Sequence, residues 1–326
     1  MAQLSESFVH SDVDGIHVGM YYHPEQGLVS EAQVNTNDDH DSETALDAAE
    51  AITPVERAYL TPAQIRAIIE ARNRRAFHPI VNNIPAAPAA PAAPQAPPYN
   101  ESLGGMVPEI LDQGAEGSCT AQGIRYCTDV AQYPKVTYKL CRAALYAAER
   151  EAEGQTATTL QDTGANVMDG LEILQEKGIC DESLCPYNDI KGNIQPPATC
   201  FDPANCLPHR VHQIGNIVDP QAPRAQIIAA IKHSISNHVP VLIGISVYSS
   251  FESQQVSQTG IIPMPRPGDR VLGGHCITIT GVNDITQQLE LVNSWGPNWG
   301  KKGYCYLPFE YIKPSLIFNY CAITQM

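Results

Sequence analysis

A chain of 326 residues is longer than one small domain needs, and it leaves room for two lobes or for a catalytic domain with an extension. Hydrophobic residues at 43% and charged residues at 17% describe a globular chain, and a formal net charge of −15 repels both phosphate backbones and anionic lipid surfaces, which excludes nucleic-acid binding by bulk charge. No apolar run of about 18 residues occurs, and the start has neither a basic tip nor an apolar stretch, so membrane insertion and a general secretory leader are not expected; cytoplasmic residence or another export route remains.

The charge is uneven. Residues 1–55 contain 11 acidic residues and no Lys or Arg. Within them Val13, Ile16, Val18, Met20 and Tyr22 fall mainly at alternate positions, which suits a short strand, whereas Asn35 to Glu50 is acidic, low in aromatics and expected to be disordered. A helix follows: Thr61 can cap it, Pro62 fits its first position, and Ile65, Ile68 and Ile69 repeat at helical spacing until about Arg75. Arg66, Arg72, Arg74 and Arg75 give this helix a basic character that an ordinary solvated face also explains. From Pro85 to Pro98 the chain is almost all Pro and Ala, which favours a semi-rigid polyproline II spacer of about 40 Å.

Beyond the spacer, helical spacing appears around Cys119–Ala131, Tyr138–Glu153 and Ala165–Lys177. Strand-like runs rich in β-branched and aromatic residues follow at Val239–Val247, Cys276–Val282, Leu289–Asn293 and Gly303–Leu307. Helices first and strands later predict an α+β arrangement of two lobes.

Several residues point to chemistry. Ser118 is placed to cap a helix whose first turn carries Cys119, and the partial positive charge of a helix N-terminus favours a thiolate there. Farther on stand Gly273-Gly274-His275-Cys276, then Asn293-Ser294-Trp295-Gly296, Trp299-Gly300 and Gly303-Tyr304. Together with Gln113-Gly114 and Gly117-Ser118-Cys119, these strings resemble the papain-like cysteine peptidase family over residues 106–322. Asp162-Thr163-Gly164-Ala165 and Cys185-Pro186-Tyr187 are similar to its microbial branch.

The resemblance implies a two-lobed α+β fold, with a helical lobe of about residues 106–212, an antiparallel β-barrel-like lobe of about 213–322, and the active-site cleft between them. It implies Cys119 as nucleophile, His275 as its imidazolium partner and proton donor, Asn293 as the residue orienting the imidazole, and Gln113 as an oxyanion donor. Trp295 is expected to cover the His–Asn hydrogen bond, and Gly164, Ala165, Gly274 and Cys276 to contact substrate. Neither a cofactor nor a metal is expected. The partner is a protein or peptide substrate, and residues 1–84 form a prosegment-like region able to occupy the cleft. Departures from the family pattern are Glu116 and Thr120, where a bridged cysteine and an aromatic residue usually stand, together with Gly274 and Cys276. They admit two other readings, an inactive papain-fold binding protein and a thiol-dependent acyl transferase or ligase.

The remaining cysteines have simpler readings. Cys200, Cys206, His209 and His212 form a compact group, but histidines three apart miss the usual zinc separation. A Cys200–Cys206 bridge in oxidising surroundings, or free thiols in reducing ones, is expected instead, and the same choice applies to Cys180 and Cys185. Cys127, Cys141, Cys305 and Cys321 read as buried packing thiols.

Overall fold

The computed structural model describes residues 98–155, 162–187 and 196–325. The acidic segment, the helix expected from Thr61, and all but the last residue of the Pro/Ala spacer lie outside the described residues.

Three helices come first, inside the stretches that helical spacing predicts: α1 (Cys119–Ala131), α2 (Arg142–Ala152) and α3 (Val167–Glu176). Their apolar faces, including Ile124, Leu145, Leu171 and Leu174, pack on one another. Asn166 caps α3 by accepting the Met168 N–H at 2.8 Å. At α1 the outcome differs from expectation. Ser118 occupies the cap position but makes no side-chain cap, because its hydroxyl lies 2.6 Å from the Tyr187 hydroxyl and accepts from Gln122.

The second half is a sheet. Strands β1 (Asn100–Ser102), β2 (Gln213–Asn216), β3 (Val241–Tyr248), β4 (Val271–Asn283), β5 (Gln288–Val292), β6 (Tyr304–Pro308) and β7 (Cys321–Gln325) pair antiparallel. The order is β2-β7-β3-β4-β5-β6, with β1 on β4. The fold is therefore the expected mixture of helices and antiparallel strands, but the sheet is not closed: β2 and β6 end it without pairing with each other. Three further helices are α4 (Pro203–Cys206), α5 (Arg224–Ser236) and α6 (Gln254–Thr259).

Two large cores result. One gathers Ile, Val, Leu and aromatic residues of the sheet, and the other lies among α1, α2 and α3. Strand alternation lets β4 serve both, since Ile277 and Ile279 enter the sheet core while Cys276 enters the helical one. On the helical side the Thr278 hydroxyl donates to the Gly123 carbonyl of α1 at 3.3 Å. Helix and sheet approach so closely that a Cβ at Gly123 would lie 2.4 Å from Leu242 Cδ1 and 3.1 Å from Cys276 Sγ, so any side chain there would force those neighbours to shift. The helical core also buries charge. Arg125 is fully enclosed by Asp129 at 2.6 Å, Glu109 at 3.1 Å, and Glu182, partners without which a buried guanidinium would be strongly destabilising.

Candidate active site

Cys119 opens α1, and the turn before it is fixed from the side. The Asp162 carboxylate accepts the Gly117 N–H at 2.9 and 3.1 Å and also accepts the Tyr146 hydroxyl. A Cβ at residue 117 would stand 2.8 Å from that carboxylate. The glycine before Ser118 thus permits the hydrogen bonds that shape the turn leading to Cys119. Cys119 is only 6% exposed and packs in the same core as Cys276 of β4. Burial pushes its thiol up to about 12, while the Cys276 and Thr120 N–H groups act in the opposite direction.

One residue before Cys276 stands His275, 3% exposed, on the other face of β4. Its Nε2 lies 2.8 Å from Asn293 Oδ1, so Nε2 carries the proton and donates. Asn293 follows β5 and is held on three sides: its Oδ1 also accepts the Ser294 N–H at 2.9 Å, its carbonyl accepts the Tyr126 hydroxyl at 2.9 Å, and its N–H donates to the Gly303 carbonyl at 2.9 Å. The Trp295 ring lies 4.9 Å from the His275 ring and belongs to an aromatic group with Phe251 and Trp299. Those rings exclude water from the His275–Asn293 pair. This dry setting lowers the imidazole to about 4 through burial, with the Asn293 bond opposing. His275 Nδ1, Asn293 Nδ2 and Trp295 Nε1 are buried without hydrogen-bond partners, a concentration of unmet polar atoms that a purely structural interior avoids.

Gln113 links the helical side to this group. Its backbone N–H donates to the Ser294 carbonyl at 2.8 Å, its Oε1 accepts the Ser294 hydroxyl at 2.6 Å, and its Nε2 donates to the Glu116 carbonyl at 2.9 Å. The amide is locked, and one Nε2 hydrogen remains for another acceptor.

The expected substrate contacts fall in two places. Gly164, with φ of +71°, donates its N–H to the Tyr146 hydroxyl at 3.0 Å and sits with Ala165 beside the Gly117 turn, half-buried. Gly274 is half-buried next to His275, whereas the Cys276 side chain is set into the helical core beside Gly123. The departures Glu116 and Thr120 have become interior hydrogen-bond partners: Glu116 accepts from Tyr187 at 2.8 Å, and Thr120 donates to Glu149 at 2.7 Å.

Sequence reading missed the residues that position others, namely Ser294, Tyr126, Tyr187 and the supporting role of Asp162. The strings Asn293-Ser294-Trp295 and Asp162-Thr163-Gly164 marked their neighbourhoods, but nothing local indicates which distant hydroxyl meets which amide. His209 and His212 do not join Cys200: His209 stacks on Tyr138 at 4.0 Å, and His212 is exposed. No helix of the described residues is long and apolar enough to cross a membrane.

A viral relative, the uncharacterized peptidase C1-like protein L477 of Acanthamoeba polyphaga mimivirus, is 31% identical over 206 residues, which is 62% of this chain and 65% of that protein. The cathepsin B-like CP3 of Giardia intestinalis is 27% identical, covering 70% and 71% of the two chains. Among solved structures, xylellain, a cysteine protease from Xylella fastidiosa, superposes with a TM-score of 0.61 at 25% identity, over 77% of this chain and 96% of that one. The digestive procathepsin L 3 of Tenebrio molitor shares the fold, with a TM-score of 0.53 at 16% identity over 83% of this chain and 81% of that one. The family model described as papain family cysteine protease matches residues 100–326, and the chain belongs to that family.

Proposed function

We propose that residues 99–326 form a peptidase domain, with a helical lobe over about 106–212 and a β lobe over about 213–322, that hydrolyses peptide bonds as an endopeptidase. The supporting observation is the oriented imidazole. With Nε2 bound to Asn293, His275 has only Nδ1 left to meet a thiol, and Nδ1 is buried without a partner on the strand whose next residue, Cys276, shares a core with Cys119. Burial disfavours a lone thiolate and a lone imidazolium. Transfer of the proton from Sγ to Nδ1 creates both charges together, each the counterion of the other, so the two groups titrate as a pair.

In the proposed cycle the Cys119 thiolate attacks the scissile carbonyl carbon, and the C–N bond breaks as His275 gives its proton to the departing amine. Water, deprotonated by His275, then cleaves the thioester, releasing the acid and restoring the thiol. Charge on the tetrahedral oxygen is met by the Cys119 N–H and the remaining Gln113 Nε2 hydrogen. Gly164, Ala165, Gly274 and Trp295 are assigned to the substrate side of the cleft, and Cys276 only through its backbone, since its side chain enters the helical core.

Residues 1–84, joined by the 85–98 spacer, are assigned an inhibitory role within the cleft. The procathepsin L 3 fold neighbour is itself a proform, which makes the assignment reasonable by analogy. A chain lacking residues 1–98 is expected to cleave a fluorogenic peptide faster than the full chain, and equal rates would remove the inhibitory role. Loss of cleavage on Cys119→Ala supports the chemistry, whereas retained cleavage refutes it.

A further inference from the structure

Nine of the ten cysteines lie in the helical core, and the proposed chemistry uses one of them. Four others converge away from Cys119. Cys141 is the cap residue of α2, Cys180 follows the left-handed Gly178 turn after α3, Cys185 closes the short turn Glu182–Leu184, and Cys200 lies in the turn Ala198–Phe201. The sulfurs of Cys141, Cys185 and Cys200 all lie within 4.8 Å of one another. Cys180 is buried on the same short segment as Cys185, five residues before it. All four side chains are buried and none is bridged.

We infer that Cys141, Cys180, Cys185 and Cys200 form a structural site for a soft divalent cation, zinc being the expected occupant. Three grouped sulfurs, with Cys180 buried on the adjoining segment as the fourth ligand, are a donor set that suits zinc and would leave no coordination position open, which fits a structural rather than a catalytic ion. In a tetrahedron of 2.3 Å Zn–S bonds the sulfurs stand about 3.8 Å apart, so the three grouped sulfurs need to contract by no more than about 1 Å. Binding forms four Zn–S bonds, breaks four S–H bonds and releases four protons to solvent, without electron transfer.

The surroundings suit thiolates. Cys141 stands at the N-terminus of α2, whose partial positive charge favours a thiolate. The Cys141 N–H donates to the Cys180 carbonyl at 3.0 Å, joining two of the segments independently of any ion. Cys206 is close but differently engaged, since its thiol donates to the Cys200 carbonyl at 3.1 Å. The ligands come from three separate stretches of chain, so no short metal-binding spacing announces them.

The test uses the full chain carrying Cys119→Ser, purified under reducing conditions and analysed for metal by mass spectrometry. About one zinc per chain is expected. Cobalt added to the zinc-free protein should give the sulfur-to-metal charge-transfer and visible bands of a tetrahedral thiolate site. Cys185→Ser and Cys200→Ser should lose both signals, and Cys305→Ser, in the sheet core, should keep them. If the serine variants do not fold, the cobalt spectrum of the parent chain still decides. Absence of zinc and of the cobalt bands in a reduced chain with intact circular dichroism overturns the inference. So does alkylation mapping that finds the four cysteines paired as disulfides in the chain as it folds.

Discussion

The two cores are built from different chemistry. The helical core contains nine cysteines and is surrounded by buried Glu116, Arg125, Asp129, Glu149, Arg150 and Asp162, whereas the sheet core is made of branched aliphatic and aromatic side chains with Cys305 as its one cysteine. The proposed nucleophile comes from the polar side, and the proposed base from a strand packed against the dry side. A thiol beside fixed N–H groups and an imidazole beneath aromatic rings are thereby brought to one boundary. Each environment alone favours the neutral form, and the division suggests why the chemistry needs both.

The largest effect should come from the nucleophile. Cys119→Ala is expected to lower kcat/KM by four orders of magnitude or more, about the loss seen when a member of a catalytic triad is removed, with circular dichroism unchanged.

Stability should distinguish the cores next. Replacing Arg125 by Met leaves Asp129 buried and unpaired, and should cost about 3–5 kcal/mol in urea unfolding. Ile279→Ala opens a cavity in the sheet core and should cost about 2–5 kcal/mol with little dependence on pH. If the Arg125 loss were as insensitive to pH as the Ile279 loss, the contrast between the cores would fail.

Gln113→Ala should reduce kcat by about 10²-fold, the scale of losing one oxyanion donor. Asn293→Ala should produce a similar or smaller drop by freeing the imidazole. Steady-state kinetics on a peptide substrate checks both, and a change confined to KM would contradict the assigned roles.

The smallest effects are in acid, and they have opposite signs on the two sides. In the Cys119→Ala chain, where no thiolate holds the imidazolium, burial lowers His275 from 6.5 to about 4, so the unfolded chain binds the proton first, and stability present above pH 6.5 is lost as pH falls toward 4. Burial raises Asp162 from 3.8 to about 6, so its contribution is present below pH 3.8 and lost as pH rises through 6. Urea midpoints across this range should flatten in one direction for His275→Gln and in the other for Asp162→Asn.

Much of this was legible in the sequence because the decisive signals are local. The periodicity of α1, α2 and α3 and the β-branched runs of β3 to β6 mark those elements, and the strings around Cys119, His275 and Asn293 mark the candidate site. What stayed hidden depends on contacts distant in sequence. Helix α5 has Ile227, Ile231 and Ile235 on one face, but it begins after Pro223 without a polar side-chain cap. Strands β2 and β7 are short and gain their identity only by pairing with each other. Ser118 reads as a cap until Tyr187, 69 residues away, meets its hydroxyl. The four grouped cysteines are likewise invisible to any short spacing rule.

The most direct test of the thiolate–imidazolium proposal is mass spectrometry of the chain, with and without residues 1–98, after treatment with an epoxysuccinyl inhibitor. The account predicts a single adduct on Cys119 in the shortened chain and its loss in His275→Ala. An unlabelled Cys119 in both lengths of a folded chain, or labelling that persists undiminished without His275, would contradict it.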